Sequence, residues 1–188
     1  MKEMFKIVIS LFAIFVGSGL VLSYVYARTS TVIYNAQVRE KEEALRKMSP
    51  EAEKIEEAGK WTLYEKPNEY YEAKKGNKVI GYVASTVGKG YSSYIKILVS
   101  TDPDIKIKSI DILSHQETPG LGDEIEKEDF KKQFGGKTLE NLELVKVETT
   151  DKIQAISGAT ISSRAVTNGV KEAVKILNET YRKGPSKE

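Results

Sequence analysis

The sequence has no cysteine and a single histidine, His115, in 188 residues. Without thiols the chain forms no disulfide, binds no thiolate-ligated iron–sulfur cluster and offers no cysteine nucleophile. One imidazole cannot build a three-histidine zinc site or a bis-histidine haem, so no metal site is expected. An excess of one charge is also missing. The 29 Lys+Arg against 27 Asp+Glu leave a net charge of +2, and no nucleic-acid partner is expected without a basic stripe. No catalytic pairing of nucleophile and base stands out. Any redox work by this chain therefore calls for an organic cofactor.

What is present begins with a long apolar run, residues 7–27, IVISLFAIFVGSGLVLSYVYA, with no charge inside it. At about 1.5 Å per residue it is long enough to cross a hydrocarbon core of roughly 30 Å. Tyr24 and Tyr26 stand at its far end, where aromatic rings suit a membrane interface. Residues 1–28 are expected to be a single-pass membrane anchor. A cleaved signal is the alternative, with Val25-Tyr26-Ala27 as a loose small-residue site. Lys2 and Lys6 favour a cytoplasmic N-terminus and an extracytoplasmic soluble part, although Lys and Arg also follow the run.

Residues 29–59 are charged, with a thin apolar stripe through Val32, Ile33, Ala36, Leu45, Met48 and Ile55. A helical linker is expected there, restarting at Ser49-Pro50-Glu51 with Ser as N-cap and Pro at the first helical position. It is either a solvated linker or a stalk packed on a partner. From Trp61 the pattern changes. Residues 79–87, 94–100, 105–113 and 142–148 are rich in β-branched residues and alternate with period two. Thr101-Asp102-Pro103-Asp104 predicts a hairpin turn, and Gly88-Lys89-Gly90 separates the preceding pair of strands. Helices are expected over 123–134 and 161–182, the second with Ala165, Val166, Val170, Ala173, Val174, Leu177 and Tyr181 on one face. The soluble part, 60–183, is expected to be one α+β domain, an antiparallel sheet with packed helices, followed by a tail at 184–188.

Two runs carry candidate chemistry. Ser157-Gly158-Ala159-Thr160-Ile161-Ser162-Ser163 enters the long C-terminal helix. Thr160, Ser162 and Ser163 then stand at a helix N-terminus, where unpaired N–H groups and the dipole favour an anion such as phosphate. An ordinary Ser/Thr-capped helix start fits the same residues. His115-Gln116-Glu117-Thr118-Pro119-Gly120-Leu121-Gly122 predicts a type II turn, with Pro119 and Gly120 at its centre. A flat heteroaromatic ring could use its backbone donors, Leu121 as an apolar face, and Glu117 or Thr118 as polar partners. A plain surface turn is the alternative.

These runs, together with Gly90-Tyr91-Ser92-Ser93, resemble the FMN-binding domain family. Its members include the G subunits of Rnf-type electron transport complexes and the C subunits of sodium-translocating NADH:quinone reductases. The resemblance covers the anchor and almost all of the soluble domain. It implies covalent FMN, joined through a phosphoester to the threonine ending Ser-Gly-Ala-Thr, here Thr160, by a dedicated flavin transferase. It places Glu117, Thr118, Leu121 and Gly122 against the isoalloxazine. Tyr91, Ser157, Gly158, Ala159, Ser162 and Ser163 complete the cofactor site. Many family members carry an acid three residues before that Ser, where this sequence has Gln154. The implied function is an electron-transfer subunit of an inner-membrane, ion-translocating complex, partnered by the other subunits and not an enzyme on its own. The alternative is an anchored extracytoplasmic module holding an anionic ligand non-covalently at 157–163.

Overall fold

The computed structural model describes residues 2–182; the tail expected at 184–188 lies outside them. The chain divides into two compact units, Met1–Glu43 and Ala44–Glu188. The first is helical, formed by most of α1, Lys2–Met48, which runs unbroken past the expected anchor boundary at residue 28. Among the described residues α1 is the one helix long and apolar enough to cross a membrane. Phe12, Phe15 and Leu22 are exposed along it. Such a row is unfavourable in water and at no cost in hydrocarbon.

The second unit is built on a five-stranded antiparallel sheet in the order β1 (Lys54–Leu63), β2 (Lys66–Lys75), β3 (Lys78–Lys89), β4 (Tyr94–Thr101) and β5 (Ile107–Ser114). Period-two alternation sorts its two faces. Ile95, Ile97 and Val99 of β4 point to one side. There they meet Val166, Val170, Ala173, Val174 and Leu177 of α3, Thr160–Tyr181. All of these are fully buried, and each of the larger ones contributes roughly 1.5–3 kcal/mol. On the other side Leu98, Val83 and Tyr71 are covered by Leu45 and Met48 from the last turn of α1. Asp111 of β5 adds ion pairs to Lys47 at 3.1 Å and to Lys131 at 3.0 Å. The α+β, antiparallel expectation is met.

Close approach of α3 to β3 sets where the helix can start. A Cβ added to Gly88 would lie 2.1 Å from the Ala165 carbonyl oxygen, and one added to Gly169 3.0 Å from that of Val87. Thr86 Oγ1 donates to the Gly169 carbonyl at 3.1 Å across the same seam. The helix therefore lies almost backbone to backbone on the strand, which fixes the height of its first turn above the sheet end.

Several local expectations are corrected. No helix restarts at Ser49-Pro50-Glu51. The Ser49 N–H closes α1 on the Leu45 carbonyl, Ala52 N–H bonds back to Ser49, and Glu53 N–H already pairs with Lys74. Residues 54–59, expected in the helical linker, are the first part of β1. The strand pair β1–β2 was not evident because its charged residues and a register shift between Glu57 and Gly59 hide the alternation. On this outermost strand Lys54 pairs with Glu56 and Lys60 with Glu57. The helix expected over 123–134 is broken into a 3-10 turn at Gly122–Glu126, a short α2 at Glu128–Lys131 and a second 3-10 turn at Lys132–Phe134. Burying Ile125, Phe130 and Phe134 together sets those breaks. The strand expected at 142–148 shrinks to β6, Leu144–Val145, paired in parallel with β7, Ile153–Gln154.

The β1–β2 hairpin turns on Tyr64 and Glu65, at φ 50° and 60°. Two-residue hairpins need positive φ at both central positions and usually fill them with Asn and Gly. A side chain held there costs about 1 kcal/mol.

Two outcomes are expected in urea unfolding. Gly88→Ala should destabilise the protein by about 1–3 kcal/mol, because backbone rather than a flexible side chain blocks the new methyl. Glu65→Gly should stabilise it by about 1 kcal/mol.

Candidate functional site

Three turns meet at one end of the sheet: 90–93 between β3 and β4, 115–122 after β5, and 157–160 before α3. Glu117 joins them. It is 6 % exposed, yet its carboxylate is fully engaged. Oε2 accepts from the Tyr91 N–H at 3.0 Å and from the Ser162 hydroxyl at 2.5 Å. Oε1 accepts from the N–H groups of Ser92 at 3.0 Å and Ser93 at 3.2 Å. Burial works against the charge. The Ser162 hydroxyl and the three backbone donors outweigh it, and the carboxyl is held below its ordinary range.

Neighbouring groups fix Glu117 in turn. Its own N–H donates to His115 Nδ1 at 3.1 Å, so the other ring nitrogen, Nε2, faces Glu126 Oε1 at 2.8 Å as the donor. No partner for His115 was evident from the sequence; Glu126 supplies one. Ser93 Oγ accepts from the Gln116 N–H at 2.8 Å. Gly122 has no room for a side chain, since a Cβ there would lie 2.7 Å from Glu117 Cβ and 2.9 Å from Ser162 Oγ.

The 118–122 turn forms as expected. The Thr118 carbonyl accepts from Leu121 N–H at 3.2 Å and Gly122 N–H at 3.0 Å, and Gly120 sits at φ 74°. Leu121 is exposed, and its Cδ2 would lie 3.2 Å from a Cβ on Gly158. The second and third turns therefore touch through Leu121 and Gly158. Gly158 itself holds φ 80°, the left-handed region that glycine enters at no steric cost.

The start of α3 departs from an ordinary capped helix. Ala159 is the N-cap and makes no side-chain cap. Ser163 Oγ donates to the Ala159 carbonyl at 2.9 Å and accepts from Ile156 N–H at 3.1 Å. Ser162 is committed to Glu117. Thr160 is half-buried and its hydroxyl has no partner among the described residues. The N–H groups of Thr160, Ile161 and Ser162 likewise have no acceptor there. Three donors and one free hydroxyl thus face the same first turn, beside exposed Ser157, Leu121 and Ile161.

The residues singled out from the sequence are brought together, but not in equivalent positions. Ser157, Gly158, Leu121 and Tyr91 are exposed, Tyr91 at 72 %. Ala159, Gly122, Ser162 and Ser163 are buried and support the turns. Thr118 acts through its carbonyl. Ser92, Ser93 and Ile161 were named only within their motifs and given no role in the site, and Glu126 was not named; the signal for the first two is the tight Gly90-Tyr91-Ser92-Ser93 turn. A cavity of about 520 Å³ opens beside Ala155 and Ile156, where Gln133 Oε1 accepts from the Gln154 N–H at 2.7 Å. Of the residues named from the sequence only Gln154 lines it; none of those expected to hold the cofactor does.

Residues 90–175, which contain all three turns, match the FMN-binding domain family. The chain is 41 % identical over 159 residues to the G subunit of the proton-translocating ferredoxin:NAD(+) oxidoreductase complex of Clostridium ljungdahlii, covering 84 % of this chain and 83 % of that one. The chain belongs to the family of G subunits of ion-translocating oxidoreductase complexes. A second member, the G subunit of the ion-translocating oxidoreductase complex of Methanosarcina acetivorans, is 30 % identical over 183 residues, covering 94 % and 96 %. Among solved structures, the C subunit of the Na(+)-translocating NADH-quinone reductase of Parabacteroides distasonis superposes with a TM-score of 0.50 at 27 % identity. That match spans 65 % of this chain and 65 % of that chain, somewhat less than two thirds of each.

Because Glu117 is more acidic folded than unfolded, its contribution is present above the ordinary carboxylate range. It is lost as pH falls through the lowered folded value. Glu117→Gln should destabilise the protein by about 2–3 kcal/mol at neutral pH, since an amide cannot accept at both ends. Urea unfolding across pH should show the gap to wild type closing below roughly pH 4.

Proposed function

We propose that this protein is an electron carrier of a membrane-bound, ion-translocating redox complex and holds FMN through a phosphoester on Thr160. The observation that carries the reading is the state of Thr160. Its hydroxyl has no partner among the described residues, in a helix turn with three unpartnered backbone donors. A phosphate esterified there keeps negative charge, which those N–H groups and the helix dipole stabilise. Glu117 lies beside the same turn but its acceptor sites are filled by its own four donors, so it does not compete for the Thr160 N–H groups.

FMN supplies the electron-accepting and electron-donating ring. The chain's own residues orient and shield it. Gly158 leaves the turn open at Thr160, and Leu121, Ile161 and Tyr91 offer exposed apolar surface for a planar ring. Ser162 and Ser163 act from below, by tying the first turn of α3 to Glu117 and to residues 156–159. No proton-transfer pair is needed for such a carrier, and none is assigned.

The names of the relatives, which belong to ferredoxin:NAD(+) and other ion-translocating oxidoreductase complexes, support the remaining subunits of such a complex as partners. A flavin transferase is the agent of attachment. Residues 1–28 are proposed as a single-pass anchor, with a helical linker after it and the flavin-binding domain extending to 183. Lys2 and Lys6 support a cytoplasmic N-terminus, which puts the domain on the extracytoplasmic side.

Thr160→Ala, made in a host with the transferase, should abolish covalent flavin. In wild type, peptide mapping should find the flavin mass on the fragment from Ala155 to Arg164. A fluorescent flavin band that persists in Thr160→Ala after denaturing electrophoresis would place the attachment elsewhere.

A further inference from the structure

The site end of the sheet carries a second surface that the flavin reading leaves unused. The Tyr64–Glu65 hairpin, the 90–93 turn and the end of β5 share that edge, because Leu63 pairs with Lys66, Lys89 with Tyr94 and Lys96 with Ser114. Tyr64 and Tyr94 are both exposed, with ring centroids 6.3 Å apart. Lys66 Nζ lies 5.3 Å from the Tyr94 ring centre. Lys89 and Lys96 flank Tyr94 on the paired strands and are exposed, with no carboxylate partner among the described residues. Glu65 is the one acid in this group, so the ledge of Tyr64, Tyr94, Lys66, Lys89 and Lys96 is aromatic and net basic.

The hairpin gives independent support. Tyr64 and Glu65 occupy positive-φ positions that Asn-Gly would fill without strain. Local strain kept where the fold gains nothing from it marks functional surfaces. Here its product is the exposed Tyr64 ring.

We propose that this ledge docks an acidic surface on another protein of the same complex, at the same end of the sheet as the Thr160 turn. The proposal rests on the electron-transfer reading of that turn. Charge complementarity selects the occupant: three lysines around two aromatic rings suit carboxylates with an apolar centre. An anionic lipid surface shares the charge but brings no electron acceptor to the adjoining site.

The test places a photo-crosslinking residue in the full-length chain, Tyr94→benzoylphenylalanine, in native membranes. Adducts are identified by mass spectrometry. The expected adduct joins Tyr94 to an acidic segment of another protein of the same complex. Its yield should fall on the order of tenfold in Lys89→Glu/Lys96→Glu at low salt, and far less at high salt. Tyr64→Asn/Glu65→Gly should also lower the yield while raising the unfolding midpoint, which a purely structural hairpin would not do. An adduct with lipid, or none, overturns the proposal, as does a yield indifferent to both double substitutions. Repeating the experiment in Thr160→Ala separates the two readings. An adduct that persists there supports the ledge whatever carries the flavin; one that vanishes overturns it as a surface of the folded chain.

Discussion

A buried carboxylate with every lone pair in use is the constraint on which the site end of this domain depends. Glu117 takes three backbone N–H groups from one turn and a hydroxyl from the first turn of α3, while its own backbone is fixed by His115. An isolated charge in such a place would be costly, and four donors remove the cost. The arrangement is directional. Acceptor atoms point inward to the turns, and the donors of the α3 N-terminus are left facing outward. Three loops that share no secondary structure are thereby held as one surface.

The helix below them has little freedom. Gly88 and Gly169 allow α3 and β3 to approach at backbone distance, and the apolar stripe from Val166 to Leu177 fills the space beyond. Its first turn cannot slide along the strand without carbonyl collisions. Thr160 therefore inherits its position from packing many residues away, and Glu117 only adjusts it. On the opposite face the last turn of α1 covers Leu98 and Val83, so the sheet is buried on both sides by elements from opposite ends of the chain.

Much of this was legible in the residues. Alternation in 79–87 and 94–100 gives β3 and β4, and the stripe from Ala165 to Tyr181 gives α3. Thr-Pro-Gly-Leu gives its turn, because Pro and Gly fix the backbone locally. β1 and β2 were not legible, since charged residues interrupt their apolar alternation and β1 shifts register between Glu57 and Gly59. Nor was the engaged state of Glu117. Its partners lie 24 to 45 positions away, and a local pattern carries no trace of them. The sequence pointed to Glu117 as a polar group facing a ligand. Its carboxylate instead faces the interior of the turns, a distinction made only by the tertiary contacts.

The outermost strand has a consequence of its own. A five-stranded open sheet ends in unpaired N–H and carbonyl groups at its two edge strands, β1 and β5, and neighbouring chains can pair with them. At its own edge β1 closes that opportunity by its register shift between Glu57 and Gly59 and by the charged residues Lys54, Glu56, Glu57 and Lys60. The bend breaks the straight template that an incoming strand would need, and the charges would be stranded if it were covered. Misassembly by strand exchange is thereby disfavoured at the β1 edge, leaving association there to surfaces made of side chains.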